Sequence, residues 1–115
     1  MNTQKNHEIS LQTAAVMTKR FRAHKPSGFA QSESFDKSAI QKLLDTSGCA
    51  RLRVYYGMKA NMETHAILVA TDSAGNDILP SATVASPEGG DDPVIIEDGF
   101  RCPPLCPVDS PLNQD

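Results

Sequence analysis

The chain has 115 residues, enough for one domain and too few for two. A net charge of -3 and an aromatic content of 5% exclude a general nucleic-acid binder and a base-stacking platform. No stretch approaches the roughly 20 apolar residues of a membrane-spanning helix, and residues 1–8 are polar with no apolar segment behind them, so no membrane partner and a cytoplasmic location are expected.

Residues 1–9 read as a flexible extension and residues 10–24 as a helix. Ser10 is a natural N-cap, and Leu11, Ala14, Met17, Thr18 and Phe21 share one face at helical spacing. Lys19, Arg20, Arg22, His24 and Lys25 crowd its end, where cations complement the helix dipole. Such an end could also contact phosphate or an acidic partner. Pro26 and Gly28 stop the helix, and residues 27–34 read as a polar loop. A second helix is expected over 36–46. Asp36 is its N-cap, and Phe35 and Ile40 stand at the positions of a hydrophobic staple. Ala39, Ile40, Leu43 and Leu44 form its apolar stripe, and Gly48 suits a left-handed terminator.

The apolar period then changes to two. Leu52, Val54, Tyr56 and Met58 alternate with Arg51, Arg53 and Tyr55, which predicts a half-buried strand. Residues 64–71 are nearly all apolar, as a central strand would be, and 59–63 join the two as a hairpin loop. A turn over 72–77 leads to a third strand at Ile78–Leu79, which Pro80 cuts short. Residues 87–93 read as a loop, and Val94-Ile95-Ile96 as a short edge strand. The expected fold is α+β: two N-terminal helices packed on one face of a small antiparallel β-meander, with an irregular Pro-rich C-terminal tail. The domain runs from 10 to 100 and the tail from 101 to 115. Leu43, Leu44, Val54, Ile67 and Val69 are expected in one core.

Charge is unevenly spread. Residues 1–71 carry a balance of +5 and residues 72–115 one of -8, while seven of the eight prolines lie in the last third. An acidic tail can serve as an interaction tail, or fold back over its own basic half. The charge split and the open edge of a three-strand meander together favour a homodimer. Salt should weaken it if charge drives assembly.

Two of the three cysteines, Cys102 and Cys106, flank Pro103-Pro104-Leu105. They could form a disulfide, hold half a metal site with Cys49, His65 or His24, or sit as free thiols, the usual state in a reducing compartment. An extended path would separate their Cα atoms by about 12 Å. A turn through Pro104 would bring them within the roughly 4.4–6.8 Å of a disulfide. We expect them to pair, Cys49 to stay a buried or half-buried single thiol, and no metal to be bound. A Cys49–His65 dyad is disfavoured, because Cys49 follows a helix C-terminus. Asp72, Asn76 and Asp77 lack an EF-hand arrangement, and the pairs Asp91-Asp92 and Glu97-Asp98 read as solvated. No P-loop, GxGxxG, GxSxG or HExxH occurs, so no cofactor and no catalytic residue is assigned. Arg51, Arg53 and Tyr55 share a strand face that could bind an anion or an acidic peptide, or be simply solvated.

Residues 49–57, residues 66–77, the Cys102-Pro103-Pro104-Leu105-Cys106 run and residues 40–44 together resemble a group of small uncharacterised bacterial proteins with a C-terminal CPPxC motif. The resemblance implies a shared fold and carries no activity. The expected function is a small non-enzymatic protein-binding or self-associating module, with Arg51, Arg53, Tyr55, Cys102 and Cys106 as binding candidates. The alternative is a thiol or metal-site protein using Cys102 and Cys106.

Overall fold

The computed structural model describes residues 6–81 and 93–114. Helix α1, Leu11–His24, begins where Ser10 accepts the Thr13 N–H at 3.0 Å. It ends at Lys25, whose N–H donates to the Phe21 carbonyl. Helix α2, Lys37–Leu44, follows Asp36, whose backbone carbonyl accepts from Ala39 and Ile40 while its carboxylate makes no capping bond. Phe35 and Ile40 both pack on the core, as a staple requires. α2 closes two residues earlier than expected, because Thr46 donates back to Leu43 and tightens the last turn.

Between the helices lies a short strand, β1, Ser32–Ser34, where a loop was expected. It pairs antiparallel with a strand at Phe100–Cys102, with Glu33 opposite Arg101. The expected boundary between domain and tail therefore falls inside a strand. The main sheet follows expectation more closely. Strand β2, Arg51–Met58, and strand β3, Thr64–Thr71, form a hairpin with Arg51 opposite Thr71 and Met58 opposite Thr64. Strand β4, Asp77–Ile78, completes the sheet in the order β2-β3-β4; the strand at Phe100–Cys102 is β5. Of the expected edge strand at 94–96, only a bridge between Ile96 and Leu68 forms. The loop expected over 87–93 lies, but for Pro93, outside the described residues, as do Asp91-Asp92 and residues 1–5 of the N-terminal extension.

Strand register decides the core. Side chains alternate between faces, so Leu68 and Ala70 share one face with Leu52 and Ile78. Leu43 of α2, fully buried, plugs into that face, with Phe35, Ile40, Cys49, Val94 and Ile96 around it. The expected core is corrected on three counts. Leu44 is 46% exposed and Val54 42% exposed. Val69 is buried as expected, at 2% exposure, but it and Ile67 are one residue out of phase with Leu68 and face away from α2, so they do not share the Leu43 core. The expectation that both helices cover the sheet holds for α2 alone. Helix α1 has no buried residue and packs chiefly on the 3-10 helix Pro111–Asn113, with Arg22 donating to the Leu112 carbonyl at 2.7 Å and to that of Gln114. The tail is thereby tied down.

The far edge of β3 is satisfied piece by piece. Alternate backbone groups point away from β2 and are met by several different segments. Thr64 N–H donates to Gly28, and the Thr64 carbonyl accepts from Arg101 Nε at 3.0 Å. Ala66 N–H donates to Glu33 Oε2 at 3.0 Å, Leu68 exchanges both bonds with Ile96, and Ala70 faces β4. Buried backbone groups demand partners, and here they come from separate segments.

The turn into β4 is built on Asp72, whose Oδ1 accepts the N–H groups of Ala74 and Asn76, both at 2.9 Å. The Asn76 N–H first, and the Ala74 N–H after it, hold this carboxyl below its ordinary value of 3.8. A depressed carboxyl stabilises the fold above its unfolded-state value, and the contribution is lost as pH falls through the folded-state value. Thermal melts of wild type and Asp72→Asn should therefore diverge at neutral pH and converge as pH drops below about 4. Parallel pH profiles would show that the carboxylate contributes nothing.

Candidate functional site

The outer edge of β2 is the most open feature of the fold. β3 takes the inward backbone groups of β2, so those of Leu52, Val54, Tyr56 and Met58 point outward. None of the four has a backbone partner among the described residues. Their side chains make an apolar band, in which Tyr56 is 91% exposed and Val54 and Met58 are about half exposed. The same face opens into a cleft of about 440 Å³, walled by Phe21, Phe29, Phe35, Val54, Tyr56 and Leu68. Glu33 also lines this cleft, and its Oε1 is buried with no hydrogen-bond partner.

The opposite face of the hairpin carries Arg53 and Tyr55, which the sequence offers as anion ligands. Both turn to Asp77 instead. Arg53 meets Asp77 Oδ1 at 2.6 Å and the Gly75 carbonyl at 3.1 Å, and the Tyr55 hydroxyl donates to Asp77 Oδ2 at 2.5 Å. Asp77 neutralises Arg53, so this pair offers a bound anion little net charge. Arg51 stands at the start of the strand, where its carbonyl accepts from Cys49 Sγ and Thr71 Oγ1, each at 3.4 Å. The turn oxygens of Asp72 and Asp77 are thus engaged within the protein.

Cys102 and Cys106 form a disulfide with their Cα atoms 4.6 Å apart. The peptide bonds before Pro103 and Pro104 are both cis. Cys102 is fully buried at the end of β5, Cys106 is exposed, and Leu105 N–H donates back to the Arg101 carbonyl at 2.9 Å. Oxidised in this way, neither sulfur is a thiolate ligand. Cys49 stays single and half-buried.

A third group of side chains escapes sequence reasoning. His65 on β3 is only 6% exposed, and Glu97 and Asp98 follow directly on the Ile96 bridge. His65 Nδ1 lies 3.1 Å from Glu97 Oε2, and Nε2 lies 3.5 Å from Glu63 Oε1. Neither contact has hydrogen-bond geometry, so both ring nitrogens are buried without a hydrogen-bond partner and stand only in ion-pair range of carboxylates. Lys59 Nζ stands 3.5 Å from Glu97, and Arg101 lies 3.7 Å from Glu63. The Asn61 side chain first, and the His65 ring after it, hold the Glu63 carboxyl below its ordinary value. One donor atom each from His65, Glu97 and Asp98 lie within 4.8 Å of one another. The sequence offers His65 as a ligand beside Cys102 and Cys106 or as a partner of Cys49, and Glu97-Asp98 as a solvated pair, but nothing in it joins His65 to Glu97 and Asp98. The Leu68–Ile96 bridge that joins them leaves no local pattern.

Among the described residues, no helix is long and apolar enough to cross a membrane. Compared with family models, with curated proteins and with solved structures, the chain matches none.

Proposed function

We propose that this chain is a non-enzymatic, self-associating module that pairs with a second copy of itself through the outer edge of β2. One observation carries the reading: an eight-residue strand whose outward backbone groups are unpartnered among the described residues and belong to residues with apolar side chains, Leu52, Val54, Tyr56 and Met58. Exposed edges of this kind are templates for strand pairing. The order of side chains fits an antiparallel twofold pair centred on Val54. Leu52 then meets Tyr56 of the other copy, and Val54 meets itself. Arg53 stands opposite Tyr55 and Arg51 opposite Gly57, so no two like charges are opposed. The outward residues Leu52, Val54 and Tyr56 each exchange both backbone bonds with their opposites. The result is one continuous antiparallel sheet running through two copies.

Light scattering across a dilution series tests it. Wild type should approach twice the 12.4 kDa chain mass as concentration rises. Val54→Lys sets two like charges against each other at the twofold axis and should remain monomeric, with a melting temperature equal to that of wild type at dilutions where wild type is itself monomeric. Added salt should leave the wild-type dimer intact, since backbone bonds and apolar contacts hold it. A wild type that stays at the monomer mass, or a Val54→Lys protein that dimerises as well as wild type, overturns the proposal.

A further inference from the structure

We propose that His65, Glu97 and Asp98 form a binding site for one divalent transition-metal ion. His65 supplies the decisive observation. A buried imidazole normally finds a hydrogen-bond partner for at least one ring nitrogen, since an unpaired buried polar group is costly. Here both nitrogens lack one, although a carboxylate oxygen stands 3.1 Å from Nδ1. That spacing suits two ligands of one ion. Donors each about 2.1 Å from a metal, and 90–109° apart about it, are roughly 3.0–3.4 Å from one another. Asp98 brings a third donor inside the same 4.8 Å span.

The donor set names the class of ion. One imidazole nitrogen and two carboxylate oxygens suit zinc, manganese, iron(II) or cobalt(II), whereas magnesium and calcium prefer oxygen alone. His65 is buried, while Glu97 and Asp98 are exposed, so the site opens to water on its carboxylate side. Three protein ligands leave a further position for water. The scaffold is firm on both sides: β3 holds His65, and the reciprocal Leu68–Ile96 bonds at 2.8 and 3.0 Å hold the segment before Glu97. Lys59 Nζ stands 3.5 Å from the same Glu97 oxygen and must give way to the ion, while Arg101 pairs with Glu63. The site owes nothing to the cysteines: Cys102 and Cys106 are spent on each other, and Cys49 packs against the Leu43 core.

The full chain, stripped with a chelator and kept oxidised, is titrated with zinc alone by calorimetry and with cobalt(II) alone by visible absorption. One ion per chain is expected, with a rise in melting temperature on binding. Glu97→Gln and Asp98→Asn alter exposed side chains, so both variants should fold. Each should weaken binding by about tenfold or more, given that even an outer-shell partner of a ligand is worth about 10–100-fold. No stoichiometric binding overturns the proposal. So does binding that both variants retain at wild-type strength, or a cobalt spectrum with thiolate charge-transfer bands, which would place the ion on Cys49.

Discussion

Leu43→Ala is expected to lower the unfolding free energy by about 2–5 kcal/mol. Leu43 has no solvent exposure, and Leu68, Ala70, Phe35 and Ile40 surround it, so the cavity left behind cannot be filled by water or by a small shift of one neighbour. The next residue provides the control. Leu44 is 46% exposed, and Leu44→Ala should cost no more than about 1 kcal/mol. Urea melts of the two variants read the difference. Equal losses would mean that α2 does not seat Leu43 on the sheet.

Gly28→Ala is expected to cost about 2–4 kcal/mol, from two sources. Gly28 has φ +93°, a left-handed conformation that charges an alanine about 1–2 kcal/mol. A Cβ there would also stand 2.9 Å from the Met62 backbone carbonyl oxygen, which cannot swing aside as a side chain would. The disturbance would spread, because the Gly28 carbonyl accepts from both Thr64 and Arg101. Gly75 separates the two sources. It has φ +91°, and a Cβ added there would meet nothing within 4 Å, so Gly75→Ala should show the conformational cost alone. Matching denaturation midpoints for the two variants would argue that the Met62 contact relaxes freely.

What could be read from the sequence was whatever repeats locally. α1, α2 and the β2–β3 hairpin each announce themselves within a dozen residues by a cap, a staple or an alternating pattern. The hairpin turn and the truncation of β4 at Pro80 are equally local. Phase was harder. In β2 the arginines mark one face, but in β3 nearly every residue is apolar, so nothing tells Ile67 and Val69 from Leu68 and Ala70. Only pairing with β2 and the seat of Leu43 resolve it. β1 was invisible because Ser32-Glu33-Ser34 has no apolar member and exists through its pairing with β5, far along the chain. The candidate sites divide the same way. The edge of β2 follows from a three-strand meander, and the Cys102–Cys106 pair from its spacer. The convergence of His65 with Glu97 and Asp98 depends on a single bridge at Ile96.

The patchwork along the far edge of β3 also bears on the order in which the chain assembles. The hairpin closes a short loop between Met58 and Thr64 and can form early, because short loops lose little entropy. Gly28, Glu33, Ile96 and Arg101 come to the same strand from far away in the chain, each after a long closure. Until they dock, the hairpin has two open edges instead of one. The nascent chain is therefore most prone to wrong pairing between the closing of the hairpin and the arrival of its last third.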